Sequence, residues 1–288
     1  MMISKRPVRA VIALAFLLGL GPHPLHAAEP LTPVDMTKTP PGVERIDLFL
    51  LIGQSNMKGR GLVPAEQTLN PRIVMLHIKN DQWYLAQHPV HITQAPMTVK
   101  GKDNAGVGPG LAFGEIIAAQ NPHVQVGLVP CAVGGSKLAL WMKGGKLYEN
   151  TVRRARLALG MKATVPVVLR GALWLQGEAD STPALQPSYQ ARLTQMIDDL
   201  RADLAAPKLP FIVATIGNFD GPVHSDPTHK ALINEALLAL PKLRQHTACV
   251  DARDLKGHIG DYVHYNTESQ TIIGQRYAEK YFQLKDKQ

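Results

Sequence analysis

Short, continuous runs of apolar residues recur along the chain, and each ends at glycine, proline or a polar residue. They cover residues 46–52, 124–129, 167–175, 211–216 and 247–250, with 73–78 as a further candidate. Continuous apolar runs, as opposed to alternating ones, are expected for parallel strands covered on both faces. The sequence therefore predicts a buried, mainly parallel sheet.

Helical patterns separate these runs, at residues 111–120, 147–159, 188–204, 229–240 and 267–282. The clearest is 188–204, where apolar residues recur at spacings of three and four while Asp and Arg occupy the other side. Strands that alternate with helices form right-handed βαβ units and build a three-layer α/β sandwich. Ligands of such sheets bind beyond the carboxyl ends of the strands, so candidate chemistry is sought there.

The first 27 residues have a different character. Lys5, Arg6 and Arg9 precede an apolar run at 10–20, and Ala27 offers a small residue for cleavage. This is typical of a secretory signal, and the run is shorter than the ~20 residues that cross a bilayer. We expect residues 1–27 to be a signal peptide, 28–45 an extended lead-in with four prolines, and 46–288 a single domain. The protein is then exported, to the periplasm or the medium, without stable membrane insertion after cleavage.

The charge of the chain bears on nucleic-acid binding, and its two cysteines bear on disulfide formation. The 288-residue chain has a formal net charge of +8, and removing the three cations of residues 1–27 leaves +5. The basic residues are scattered and form no stripe, so nucleic-acid binding is not expected. Cys131 and Cys249 lie in or after apolar runs, where free buried thiols are commoner than a bridge.

Two strand exits offer a nucleophile and a glycine turn. The first apolar run is followed by Gly53-Gln54-Ser55-Asn56-Met57. A tight turn in this segment can present the hydroxyl and the backbone N–H of Ser55. An ordinary Ser-Asn turn is the alternative. Gly134-Gly135 follows the run at 124–129; paired glycines let the backbone approach a ligand closely and present an N–H to an oxyanion.

Two further segments carry acids, an amide and a histidine. Gln176, Glu178 and Asp180 follow the run at 167–175, where polar side chains are costly unless solvated or used. The Gln176 amide could donate to an oxyanion. Near the C-terminus, Asp261 and His264 are three residues apart; a carboxylate bound to Nδ1–H leaves Nε2 free to accept a proton from serine.

Alternative sites are weaker. His258 has no acid three residues before it and ranks behind His264 as the base. His224, Asp226 and His229 lack a second pair at ligand spacing, so neither a metal nor a cofactor is expected. Trp141 follows the glycine turn and could stack on a sugar ring, although a buried tryptophan more often packs in the core.

Four motifs follow one another along the chain: the segment from Gly53 to Met57, the Gly134-Gly135 turn, the segment from Gln176 to Asp180, and the pair Asp261 and His264. In this order they resemble the carbohydrate-acetylesterase branch of the SGNH hydrolases, which comprises sialate O-acetylesterase-like proteins and family 6 acetylxylan esterases. The resemblance spans residues 46 to about 282. It implies a flavodoxin-like α/β/α sandwich, Ser55 as nucleophile and His264 as base. It also implies an oxyanion hole from the N–H of Ser55, a glycine N–H (Gly135 before Gly134) and Gln176. Either Asp261 or Glu178 orients the histidine, with Asp261 first.

The expected activity follows from this resemblance. A serine esterase without a metal removes O-acetyl groups from a carbohydrate through an acetyl-enzyme. Acetylated xylan is the first expected substrate and acetylated sialic acid the second. Substrate contacts are assigned to Gln54, Asn56 and Trp141. The alternative from another class is a non-catalytic carbohydrate-binding protein, which would not need all four motifs together.

Overall fold

The computed structural model describes residues 30–92, 105–219, 221 and 227–286, so the expected signal peptide lies outside the described residues. Within these ranges the chain forms seven strands and six α-helices. The strands are β1 (Arg45–Gly53), β2 (Ile73–Leu76), β3 (Trp83–Leu85), β4 (Val124–Pro130), β5 (Val167–Leu175), β6 (Phe211–Ala214) and β7 (Thr247–Val250). The helices are α1 (Ser55–Lys58), α2 (Pro109–Gln120), α3 (Lys146–Leu159), α4 (Gln186–Asp203), α5 (Pro227–Leu243) and α6 (Thr267–Lys285).

The seven strands form one sheet in the order β3-β2-β4-β1-β5-β6-β7. Strand β1 lies at its centre, parallel to β4 and β5, and β6, β7 and β2 continue the parallel pairing. Only β3 is antiparallel, at the edge beside β2. Because both faces of the sheet are covered, β1 is apolar at consecutive positions, and Leu48, Phe49, Leu50 and Leu51 are fully buried.

Helices cover the two faces separately. Leu48 and Leu50 pack into a core with residues of α3, α4 and α5, whereas Phe49 and Leu51 pack into a second core with residues of α2 and α6. Phe49 meets Phe113 edge to face at 4.8 Å between ring centroids. The expected three-layer α/β/α fold is thus confirmed. No helix in the described residues is long and apolar enough to cross a bilayer.

The lead-in contributes to the sheet edge. Val34 N–H donates to Trp83 O at 2.9 Å, and Leu85 N–H donates to Thr32 O at 2.9 Å. These contacts pair residues of the lead-in with β3 and cover an otherwise open edge strand. Cys131 and Cys249 both carry free thiols.

Candidate active site

Parallel pairing brings the predicted strand exits together at one edge of the sheet. Gly53, the last residue of β1, is in register with Leu175, the last residue of β5. On the other side, Leu51 is in register with Pro130 at the end of β4. The segments that follow these three strands therefore begin side by side, at the carboxyl edge where α/β proteins bind ligands.

A glycine-dependent turn places Ser55 at the tip of β1. Gly53 has φ +133°, and a Cβ there would lie 2.2 Å from the carbonyl oxygen of Leu175. Only glycine fits this close approach, which the N–H of Gln54 reinforces by donating to the same oxygen at 2.9 Å. The chain then turns into α1, and Ser55 is its first residue.

Ser55, His264 and Asp261 form a continuous hydrogen-bonded series. The Nε2 of His264 lies 2.8 Å from the Oγ of Ser55, and its Nδ1 lies 2.5 Å from the Oδ2 of Asp261. The Oδ1 of Asp261 accepts the backbone N–H groups of Val263 (3.0 Å) and His264 (2.9 Å). An acid that holds Nδ1–H and a hydroxyl at Nε2 are the arrangement that proton transfer from serine needs.

The carboxylate of Asp261 is held in its charged form. Partial burial on its own acts to raise the pKa of Asp261. Hydrogen bonds from the side chain and backbone of His264 and from the backbone of Val263 outweigh this effect, and the pKa lies below its usual value. Asp261 is therefore ionised where it meets His264.

Asn56 ties the histidine loop to the turn that carries Ser55. Its Nδ2 donates to the Oε1 of Glu178 at 2.5 Å and to the carbonyl of Val263 at 3.1 Å. Its Oδ1 accepts the N–H of Tyr265 at 3.1 Å. The side chain of Asn56 thus holds the backbone on both sides of His264.

The role assigned to Asn56 from the sequence therefore needs correction. Asn56 was expected to contact substrate, but it is fully buried and its amide is spent on these internal bonds.

Glu178 reaches this part of the site through Asn56. Burial raises the pKa of Glu178, against the opposing effects of its own backbone, Asn56 and His264. Its Oε2 is buried without a hydrogen-bond partner among the described residues. Of the two acids expected to orient His264, Asp261 is the one bonded to the ring in this structure.

The two glycines of the turn differ in what a Cβ would meet on the side of Ser55. A Cβ on Gly134 would lie 3.8 Å from the Cβ of Ser55, whereas a Cβ on Gly135 would meet nothing within 4 Å. Gly135 instead supplies the φ of +69° at which the turn bends. A methyl group added at Gly134, unlike one at Gly135, would thus lie next to Ser55, and the order of the two N–H groups as oxyanion donors stays a prediction.

Gln176 forms hydrogen bonds with the segment that follows the glycine turn instead of facing an oxyanion. Its Nε2 donates to the carbonyl of Ser136 at 3.1 Å and to the Oδ2 of Asp180 at 2.5 Å. Both N–H bonds of the amide are thereby used, and the side chain is fully buried. Asp180 also accepts the N–H of Leu138 at 2.8 Å. The expectation that Gln176 donates to an oxyanion is corrected on this ground.

Gln54 and Trp141, both assigned to substrate contact, are interior residues. The Oε1 of Gln54 accepts the N–H of Ala179 at 3.3 Å, and only 3% of the residue is exposed. Trp141 is 1% exposed, packs edge to face on Trp174 at 5.4 Å and donates Nε1–H to the Oγ of Ser136 at 2.9 Å. Both side chains make their contacts within the protein, so the assignment of either one to substrate contact is corrected.

Two residues near the site were not anticipated. His91 accepts the N–H of Ala132 at 3.1 Å on Nε2, and burial lowers its pKa to about 3, so it stays a neutral acceptor. Arg60 places Nη2 3.5 Å from the position of a Cβ on Gly134. His91 lies outside any periodic segment, whereas Arg60 follows the Ser55 motif closely enough to have been considered.

Of the three residues considered as metal ligands from the sequence, the structure describes only one. His229 lies in α5, whereas His224 and Asp226 lie outside the described residues. Within the described ranges, no three His, Cys, Asp or Glu side chains form a group that could hold a metal ion.

Comparison with known proteins identifies relatives over most of the chain. Residues 45–283 match a family described as carbohydrate esterase, sialic acid-specific acetylesterase. A probable carbohydrate esterase of Arabidopsis thaliana is 32% identical over 252 residues, which span 81% of this chain and 89% of that protein.

Solved structures with a similar fold also cover most of this chain. The crystal structure of an Arabidopsis thaliana protein superimposes with a TM-score of 0.68 at 30% identity, over 82% of this chain and 98% of that one. NanS superimposes with a TM-score of 0.64 at 18% identity, over 85% and 99% of the two chains. A carbohydrate acetylesterase from Xanthomonas citri gives 0.58 at 20% identity, over 81% of this chain and 54% of that one. The latter two show the fold alone.

The family match covers well over half of the chain, and the Arabidopsis relative supports it at 32% identity. The chain therefore belongs to the sialic acid-specific acetylesterase family of carbohydrate esterases, and it is a carboxylic ester hydrolase that acts on acetylated carbohydrate.

Proposed function

We propose that the protein removes O-acetyl groups from carbohydrates by a serine mechanism with an acetyl-enzyme intermediate. The observation that carries this proposal is the 2.8 Å contact between the Oγ of Ser55 and the Nε2 of His264, with Asp261 on the other ring nitrogen. A hydroxyl with a base in reach, and an oriented base, are the two requirements for an activated nucleophile.

In the first step, Oγ of Ser55 bonds to the acetyl carbonyl carbon while its proton passes to Nε2 of His264. The tetrahedral intermediate collapses, the bond to the sugar oxygen breaks, and that oxygen takes the proton from His264. In the second step a water gives its proton to the same nitrogen, attacks the acetyl-enzyme, and acetate leaves as Ser55 regains its proton. Asp261 stays ionised and stabilises the imidazolium in both steps.

The oxyanion of each intermediate needs hydrogen-bond donors. We assign this role to the N–H of Ser55 and the N–H of Gly134, which belong to adjacent turns at the ends of β1 and β4. Neither N–H has an acceptor among the described residues. A preformed donor with no internal partner can bind the developing charge without reorganisation.

Acetylated xylan is proposed as the first substrate and acetylated sialic acid as the second. The resemblance of residues 46 to about 282 to family 6 acetylxylan esterases supports the first candidate. The family description, which names sialic acid, supports the second candidate. Acetate release from acetylated xylan, acetylated xylo-oligosaccharides and O-acetylated sialic acid, measured with one enzyme preparation, ranks them by kcat/KM.

The nucleophile is tested by replacing Ser55. Ser55→Ala should fold normally and lose at least ~10³-fold in kcat for 4-nitrophenyl acetate, as expected when a triad serine is removed. Circular dichroism and the melting temperature serve as folding controls. A folded variant that keeps more than roughly a tenth of the activity would contradict the assignment, because triad losses are far larger.

Export is proposed on the sequence of residues 1–27 alone. Basic residues, a short apolar run and Ala27 favour cleavage by a signal peptidase. Mass spectrometry of the active protein recovered from periplasm or medium should find an N-terminus close to Ala28. An intact Met1 or Met2 on most of that protein would refute this proposal.

A further inference from the structure

A basic cleft opens at the amino ends of β1 and β5. Its volume is about 470 Å³, and its charged and aromatic lining residues are Arg45, Asp47, Arg170, Lys208, Tyr281 and Lys285. Ser55 follows the opposite end of β1. Since a parallel strand rises ~3.3 Å per residue, the nine residues of β1 separate the two regions by roughly 26 Å. The cleft therefore lies apart from the candidate active site.

Asp47 holds two guanidinium groups in fixed positions within this cleft. It is 4% exposed, accepts from Nε and Nη2 of Arg45 at 2.6 and 3.1 Å, and accepts from Nε of Arg170 at 3.1 Å. The side chains of Arg45 and Arg170 remain 34% and 37% exposed. Nη1 and Nη2 of Arg170 bond to no other described residue. The cleft thus offers preorganised N–H donors, and such a fork suits a carboxylate.

The remaining lining residues add charge and a surface for packing. Lys208 and Lys285 are exposed, so four cations face the single carboxylate of Asp47 and leave an excess of three positive charges. Leu169, Pro207 and Pro210 contribute an apolar surface beside them. The volume falls within the range of ~300–1,000 Å³ that is usual for small-ligand sites. Charge alone would suit any anion, whereas charge with an apolar wall suits an anionic sugar ring.

We propose that this cleft binds a carboxylate-bearing sugar, such as a uronic acid residue of a polysaccharide. Bound there, an acidic glycan would be retained on the enzyme while its acetyl groups are removed at Ser55. The inference takes from the preceding section only that the substrate is a carbohydrate. The binding site itself does not depend on the serine mechanism.

Isothermal titration calorimetry at low salt tests the proposal with trigalacturonate, and with neutral xylotriose and inorganic phosphate for comparison. Trigalacturonate should bind, and xylotriose and phosphate should bind far more weakly. Arg170→Gln should weaken binding at least ~10-fold, because it removes charge-assisted hydrogen bonds. Lys208→Gln combined with Lys285→Gln, which changes only exposed side chains, should weaken it several-fold.

A matched control removes two exposed lysines elsewhere, by Lys162→Gln combined with Lys242→Gln. This variant should bind trigalacturonate like the wild type, since the same loss of net charge falls outside the cleft. All variants should keep the wild-type kcat for 4-nitrophenyl acetate. The proposal would be overturned if neither cleft variant changed the affinity for trigalacturonate, or if inorganic phosphate bound as tightly as trigalacturonate. Tighter binding of single-stranded DNA than of trigalacturonate would also overturn it. Because calorimetry measures binding without turnover, failure of the Ser55 mechanism would not affect the result.

Discussion

The carboxylate of Glu178 accepts a hydrogen bond at 2.5 Å from the side-chain amide of Asn56. The same amide donates to the carbonyl of Val263, immediately before His264. Glu178 therefore acts on the histidine through an intermediate residue, whereas Asp261 bonds to the ring itself. The two acids thus differ in their partners: Asp261 bonds to the ring of His264, and Glu178 bonds to Asn56.

This difference predicts unequal effects of removing each charge. Asp261→Asn should lower kcat by up to ~10⁴-fold, because an amide no longer fixes the tautomer or stabilises the imidazolium. Glu178→Gln keeps an oxygen that can accept from Asn56 and should lose far less. Both variants are compared by kcat on 4-nitrophenyl acetate at one pH, with melting temperatures as the folding control. A larger loss for Glu178→Gln would reverse the roles assigned here.

Burial of Glu178 also predicts how stability depends on pH. Its pKa in the folded protein is raised above the ordinary value of 4.5, so the folded state binds the proton more tightly than the unfolded state does. Stability therefore falls as pH rises from about 4.5 through the folded pKa. Glu178→Gln removes this cost, so the free energy of unfolding of the variant should rise relative to that of the wild type as pH increases from about 4.5 through the folded pKa of Glu178.

Urea unfolding of both proteins at several pH values measures this difference. Asp261 does not contribute to the same window, because its pKa is lowered and its stabilising effect is lost only as pH falls below the ordinary range of a carboxyl group. A constant difference between wild type and Glu178→Gln across this range would show that the carboxylate is ionised at no cost.

The parts of the fold that the sequence predicts are those governed by local pattern. Continuous apolar runs predict β1, β4 and β5 because burial on both faces removes any alternation. The contact between Asp261 and His264 follows from a spacing of three residues within one turn. Strand β3 has three residues, too few for a pattern to emerge, and its place is set by pairing with β2 and the lead-in.

The parts that the sequence does not predict depend on tertiary competition. Gln176 has two N–H bonds, and whether they face solvent or the interior is decided by Ser136, which is 40 residues away in the chain. The bend of the glycine turn depends on the φ angle of one residue, Gly135. Trp141 is buried because Trp174 and Ser136 meet it there. None of these relationships is encoded in spacing or periodicity.

The two glycines should respond differently to alanine. A Cβ at Gly134 would make ordinary contacts, 3.8 Å from the Cβ of Ser55, so Gly134→Ala should fold. It should lose roughly 10-fold or more in kcat/KM, because the added methyl group takes up space beside the reacting serine and misplaces the substrate. Gly135 has φ +69°, and Gly135→Ala should cost about 1–2 kcal/mol of stability. Its kcat/KM should stay near the wild-type value. Loss of activity confined to Gly135→Ala would place the oxyanion donor at Gly135.

Replacement of Gln176 by methionine tests whether the buried amide acts on catalysis through the glycine turn. Methionine has a similar length but cannot donate to Ser136 O or Asp180, so the turn that carries Gly134 loses its support. Since an oxyanion donor acts only in the transition state, kcat should fall by about 10- to 10²-fold while KM changes little. Thr151→Val is the matched control, because it removes a buried hydroxyl that donates at 2.8 Å to Leu147 within α3. If Gln176→Met loses stability as this control does but keeps the wild-type kcat, Gln176 stabilises the fold without positioning the oxyanion donor.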